Sequence, residues 1–319
     1  MPTSHATRLQ MTLSIFIPDF ERRYAAAGRP RLPALERMLA RGRSLATRSS
    51  AEFLAPLFGL EPPQLAPAPF MHLADGGDMD EACWFRAGFV HLAPDRDQLV
   101  LMPESLLQVT QEETAALTAA FNVMYGAEGW KLEVGSRARA YLRCPKALDA
   151  ATHEPEAIAG QPVLEYMPTG PDAVKLKQLM NEIQMLFHTH PVNAIREEAG
   201  QPPINSLWLW GGGELPKSSA AQTPTKIMSD FPLLQGLALW ARIKADAPAM
   251  SAIASDCLVE LAADDMTVLE RDWFATLFAQ LKSGRLQKLN LYLGGFGILE
   301  IDSAAARRFW RRARPLVAP

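Results

Sequence analysis

HTHPVNAIREEAGQPPINSLWLWGGG, residues 188–213, is the stretch that decides how this chain is partitioned. Upstream of it, Leu176, Leu179, Met180, Ile183, Leu186 and Phe187 recur at helical spacing and form one apolar stripe. Pro191 then breaks that helix, and a short second helix follows. SLWLW (206–210) reads as a buried strand with Trp208 and Trp210 on one face, closing in Gly211 to Gly213. The run is therefore expected to be a return path into a core sheet. It is a hinge first, and an anion-lining segment second, because the N–H groups of Gly211 and Gly212 can cradle an anion.

Working outward, 319 residues are long for one core and predict two domains or one domain with a large insertion. LSIFIPDF (13–20) reads as a buried strand, and RLPALERMLARG as a helix with Pro33 in its first turn and Gly42 as terminator. Strand then helix predicts an α/β sheet with its chemistry at the strand's carboxyl end. A second helix is expected over 50–60, and the proline-rich EPPQLAPAPF as a domain crossing. Residues 83–92 and 97–102 read as strands around the turn APDRD, followed by a helix at 110–122 and a strand at 130–143. Near the end, Thr267 and Glu270 are spaced as a capping box. KLNLYLGGFGILEID reads as a hairpin around Gly294-Gly295, and RRFWRRAR as part of a closing helix.

With 48% apolar and 21% charged residues the chain has the composition of a globular protein. A net charge of −3 argues against a global nucleic-acid binder. Cys83, Cys144 and Cys257 are odd in number and form no CxxC, which predicts a reduced, cytoplasmic protein. The first apolar stretch is too short for a signal peptide, and no window approaches the ~18 apolar residues of a membrane span.

Several residues admit two readings. Ser50 is a candidate nucleophile, yet Ser49-Ser50-Ala51-Glu52 also fits a helix capping box, and capping is favoured. Asp19 is a candidate metal ligand or a turn cap. His188 and His190 diverge around a helix and cannot share a metal without a break, so His190 is expected to satisfy backbone at a helix end. Arg86, Arg137, Arg139, Arg143 and Arg196 are candidate anion binders, since a guanidinium makes paired bonds to phosphate or carboxylate. Arg86 and Arg196 lead that group, either as ligand-binding groups or as structural ion-pair partners.

Taken in order, His190-Pro191-Val192-Asn193, Arg196, Gly200, Pro202-Pro203, Asn205 and Gly211 to Gly213 resemble the archaeal-type, cofactor-independent phosphoglycerate mutases of the alkaline phosphatase superfamily. IFIPDF resembles that family's first strand and metal-binding aspartate, which places Asp19 there. SSAEFLAPLFGLEP resembles its nucleophile segment and places Ser50 on the nucleophile. CWFRAGFVHL resembles the opening of its inserted substrate domain and puts Arg86 on a family position. WFRAGFVHLAPDRDQLVL most resembles the bacterial RpfE-type proteins. The resemblance implies an alkaline-phosphatase-like three-layer α/β core from residues 1–62 and 188–319. A small α+β domain with its return helix, 63–187, interrupts that core. It also implies Asn193 and Arg196 beside Arg86, Arg139, His190, Gly211 and Gly212 as anion-binding positions.

The chemistry so implied moves a phosphoryl group through a phosphoserine while two metal ions hold the phosphate and activate the serine. That clamp needs a full set of Asp and His ligands from several strand ends. This chain has no histidine after His190, and Phe20 stands where the family has a glycine after the aspartate. CLVELAADDMT and NLYLGGFG stand where histidine elements are expected, leaving Asp264 and Asp265 as the remaining candidate ligands. The expectation is a catalytically degenerate homologue, without a cofactor, that binds a small phosphorylated or carboxylated metabolite. One alternative is an active mutase or phosphatase with Mn²⁺ or Mg²⁺, using Asp19, Ser50 and Asp264 or Asp265. Another is a protein-interaction module working through the arginine-rich residues 305–314. Nucleic acid is disfavoured because the chain is acidic and a terminal helix is expected to bury Phe309 and Trp310.

Overall fold

A computed structural model describes residues 12–45, 49–96, 98–217, 224–250, 253, 256–261, 265–313 and 315–316. Its strands are β1 (Thr12–Ile17), β2 (Arg43–Leu45), β3 (Trp84–Asp95), β4 (Gln98–Met102), β5 (Lys131–Val134) and β6 (Ala140–Arg143). β7 (Ser206–Gly213), β8 (Lys226–Met228), β9 (Ala245–Asp246), β10 (Cys257–Glu260), β11 (Lys288–Leu293) and β12 (Gly297–Asp302) complete them. The chain forms two compact units, Met1–Leu65 with Ser219–Pro319, and Ala66–Ser218.

The first unit holds a seven-stranded mixed sheet, ordered β2-β12-β11-β1-β10-β8-β9. β1 lies parallel to both β10 and β11, and such a central strand must be apolar on both faces. Leu13, Ile15 and Ile17 join one core, with Leu35 and Met38 of the helix Pro33–Arg41 and Leu277 and Leu281 of Ala275–Ser283. Phe16 points the other way and stacks on Tyr292 (5.1 Å) and on Phe53 (6.2 Å) of the helix Ser50–Leu54. The helices Pro33–Arg41 and Ala275–Ser283 thus pack on one face, and the helix Ser50–Leu54 meets the other through Phe53. The hairpin expected at Gly294-Gly295 is present: β11 and β12 are antiparallel, and Gly295 turns the chain at φ 84°.

The second unit is built on an antiparallel sheet in which β3 pairs with β4, β6 and β7. The helix Ala173–His188 buries the apolar stripe read from the sequence, with Leu176, Ile183 and Phe187 fully enclosed. Among the described residues no helix is long and apolar enough to cross a membrane.

Several expectations are corrected. The chain enters the second unit within the proline-rich run, at Ala66, but leaves it only at Ser218, not at 187. The whole return stretch, β7 included, belongs to the second unit. Leu207, Trp208 and Leu209 are buried on both faces, so their pattern fits either sheet; pairing with Ala87–Phe89 of β3 decides. The single strand expected over 130–143 is the hairpin β5–β6, closed by a turn in which Ala138 takes φ 59°. The box at Thr267–Glu270 is absent. Asp265 caps that helix instead, and Glu270 accepts from the N–H groups of Ala34 (2.6 Å) and Leu35 (3.5 Å), capping a different helix. The final helix, Ser303–Ala306, stops before RRFWRRAR, since adjacent Phe309 and Trp310 supply no helical stripe to bury.

Candidate functional site

In the first unit, the carboxyl ends of β1, β8 and β10 open on a cleft of about 600 Å³. Its walls include Asp19, Arg23, Asp230, Phe231, Glu260 and Trp273. Asp19 follows β1 directly. Its Oδ2 takes a 2.7 Å bond from Arg22 and lies 3.8 Å from Arg23, so it sits in an ion-pair cluster. Glu260 is buried and accepts from Ser229 Oγ at 3.2 Å; burial pushes its carboxyl above the ordinary range.

The remaining metal candidates do not complete a ligand set there. Asp265 accepts at Oδ1 from the N–H groups of Thr267 (2.7 Å) and Val268 (3.3 Å), which hold its pKa below the ordinary range. Asp264 lies outside the described residues. No group of three or more His, Cys, Asp or Glu among the described residues is placed to hold a metal ion. The donors among the described residues thus do not fit a two-metal phosphoryl-transfer centre. Ser50 is the first residue of its helix, beside the N-cap Ser49, whose box with Glu52 is complete, and it is not on the walls of the Asp19 cleft.

Histidines at described positions all fall in the second unit, and four of the five have structural partners. His72 stacks on Trp84 (3.8 Å between rings) and bonds Glu133 at 2.6 Å. His91 meets the Pro203 carbonyl at 2.8 Å, and His153 the Tyr166 carbonyl at 3.3 Å. His190 accepts from the Val192 N–H at 3.2 Å as a helix N-cap, the role expected of it.

Several of the candidate anion binders have partners within the protein. Asn193 is buried; its amide donates to the carbonyls of Phe187 and Ile204 and accepts from the Ile204 N–H. Arg196 is 1% exposed and saturated by Glu113 (2.9 Å to each oxygen), the Pro202 carbonyl and the Leu107 carbonyl. Arg139 forks onto Asp75, whose carboxylate also accepts from Tyr141 at 2.6 Å. Gly211 gives its N–H to Thr152 Oγ1 (3.0 Å), and a Cβ on Gly212 would strike the Phe85 ring. The glycines allow close packing, and the Gly211 N–H is already bonded.

Arg86 is different. It is 6% exposed, donates to the Ala140 carbonyl, and lies over the rings of Tyr141 (5.0 Å) and Trp210 (6.0 Å). No carboxylate among the described residues reaches it at ion-pair distance. Its Nε and the Trp210 Nε1 are both buried donors without an acceptor, and the two residues are register partners on β3 and β7. Burial pushes the nearby Glu104 carboxyl up to about 7, so that group is largely protonated below neutrality. Sequence reasoning missed Glu104, Tyr141 and Trp210 as neighbours of Arg86. Only the β3–β7 pairing, invisible in the pattern, brings Trp210 beside it.

Residues 57–193 match the family model of the 2,3-bisphosphoglycerate-independent phosphoglycerate mutases. A probable enzyme of that name from Geobacter sulfurreducens is 30% identical over 60% of this chain and 51% of its own length. That from Methanosarcina barkeri is 29% identical over 42% of this chain and 35% of its own. The cofactor-independent phosphoglycerate mutase of Thermoplasma acidophilum superposes with a TM-score of 0.46 at 18% identity, over 96% of this chain and 94% of that one. Over these stretches the chain is similar to the cofactor-independent phosphoglycerate mutases. The match spans about half the length of the Geobacter relative.

Proposed function

We propose that this chain is a catalytically degenerate phosphoglycerate mutase homologue, of RpfE-type regulatory character, that binds a small phosphorylated or carboxylated metabolite in the cytoplasm. The observation that carries the binding reading is Arg86, a buried guanidinium whose Nε, together with Trp210 Nε1, lacks an acceptor. Buried N–H donors left unmet are costly, and an anionic oxygen at the Arg86 guanidinium would supply an acceptor while neutralising the charge. The commitment of Asp265 to a helix cap and of His190 to another supports loss of the metal-dependent reaction.

Calorimetric titration with 3-phosphoglycerate and with inorganic phosphate tests the binding reading. Saturable binding of either by the wild type, weakened at least about tenfold in Arg86→Gln, is the expected result. Absence of binding at millimolar ligand, or equal binding by the folded variant, would refute it. The alternative, an active metal-dependent mutase or phosphatase using Ser50, draws support from Asp19 standing beside the buried Glu260 in the β1–β10 cleft. It predicts a stoichiometric Mn²⁺ or Mg²⁺ ion in the purified protein.

A further inference from the structure

The first unit carries a second charged cleft at the end of its sheet away from Asp19. β1 and β11 run parallel, so Ile17 and Leu293 share the end that bears Asp19, whereas Lys288 and Asp302 pair at the other. There a cleft of about 590 Å³ is lined by Arg41, Arg43, Lys288, Arg308 and Arg311, against only two carboxylates, Glu300 and Asp302. Both carboxylates are engaged: Glu300 lies 3.7 Å from Lys288, and Asp302 accepts the Ala305 N–H at 2.6 Å. Arg41 donates to the Ala306 carbonyl and lies over the Phe278 ring, neither of which brings a counter-charge. Arg43, Arg308 and Arg311 have no carboxylate partner among the described residues.

Arg311 also lines an adjoining cleft of about 740 Å³, with Trp310, Arg312, Leu39 and Phe296. Contrary to the expectation of a buried terminal helix, Trp310 is 66% and Phe309 80% exposed. Their rings meet edge to face at 5.3 Å. A basic cleft alone would suit any anion. A flat, accessible indole beside the shared Arg311 adds a stacking surface of the kind that planar bases use.

We propose that these two adjoining clefts bind a nucleotide, either free or as a unit of a single strand, with its phosphates between Arg43, Arg308 and Arg311 and its base on Trp310. The site is separate from Arg86 and stands or falls independently of the anion reading there.

The test uses the full chain in metal-free buffer with three probes: ATP, inorganic tripolyphosphate and a fluorescein-labelled oligothymidylate. ATP binding is expected, at least about tenfold tighter than tripolyphosphate because the base stacks. Arg43→Gln combined with Arg311→Gln should weaken both probes at least about tenfold, in a variant with unchanged melting temperature. Trp310→Ala should abolish the preference for ATP over tripolyphosphate while leaving tripolyphosphate affinity intact, and Trp310→Phe should restore it. Oligothymidylate bound more tightly than ATP supports the site and identifies a strand as its ligand; the reverse order supports it and identifies the free nucleotide. No binding of any probe at millimolar concentration overturns the proposal. So does binding insensitive to the arginine changes, an ATP affinity equal to that of tripolyphosphate, or equal displacement by polyglutamate.

Discussion

Arg86 and Glu104 form an unequal pair: a buried cation with unmet donor capacity, and a carboxyl that burial keeps protonated up to about pH 7. While Glu104 is neutral it leaves Arg86 to an external anion; once ionised, it competes. Phosphate affinity at Arg86 should therefore fall as pH rises through about 7, and Glu104→Gln should flatten that dependence when titrations are repeated from pH 6 to 8. The same shift acts on folding. The folded state holds the Glu104 proton more tightly than the unfolded chain, so the stability it contributes declines as pH rises from about 4.5 to about 7 and levels off above. Arg196 behaves otherwise, because its ion pair with Glu113 is internal and complete. Arg196→Ala should lose about 3–5 kcal/mol in urea denaturation by stranding Glu113, without a direct effect on anion binding. The sequence identified both arginines as exceptional, since a charge inside an apolar pattern needs a partner. It could not tell the saturated one from the open one, because the partners that decide this, Ala140 for Arg86 and Glu113 for Arg196, lie 54 and 83 positions away.

Local elements were legible where chemistry and conformation are tied within a few residues. Gly294-Gly295 announced the β11–β12 hairpin, and the six-residue stripe announced the helix ending at His188. Ser49 with Glu52 announced a helix start, and the cap there is Ser49 rather than Ser50. Glu270 was misread for the opposite reason: its spacing from Thr267 fits a local box, but its carboxylate reaches the start of Pro33–Arg41, far back in the chain. Glu270→Ala should cost about 1 kcal/mol of stability by uncapping that distant helix, whereas Thr267→Ala should cost little. The glycines closing β7, read as a hinge first and an anion-lining segment second, also allow close packing. Gly212→Ala should drive a methyl into the Phe85 ring and destabilise the second unit by about 1–3 kcal/mol, seen as a lowered urea midpoint.

At the scale of the whole chain, the seven-stranded mixed sheet of one unit and the antiparallel sheet of the other accord with the α/β core and insert that the motifs implied. Where the insert ends was not legible, because an apolar run such as Leu207–Leu209 satisfies either sheet and only its partner strand assigns it. The residues implied as a site divide among different tasks. Asp19 stands at a strand end in an ion-pair cluster, while Ser50 opens a helix outside that cleft's walls. His190 and Asp265 cap helices, and Asn193 and Arg196 hold backbone together. Many of these motif side chains thus have folding roles, and on the proposed reading they are kept for those roles. The most direct test of that account is a coupled phosphoglycerate mutase assay on the purified full chain with excess Mn²⁺. The account predicts a rate indistinguishable from the protein-free blank. Robust turnover that disappears in Ser50→Ala would contradict it.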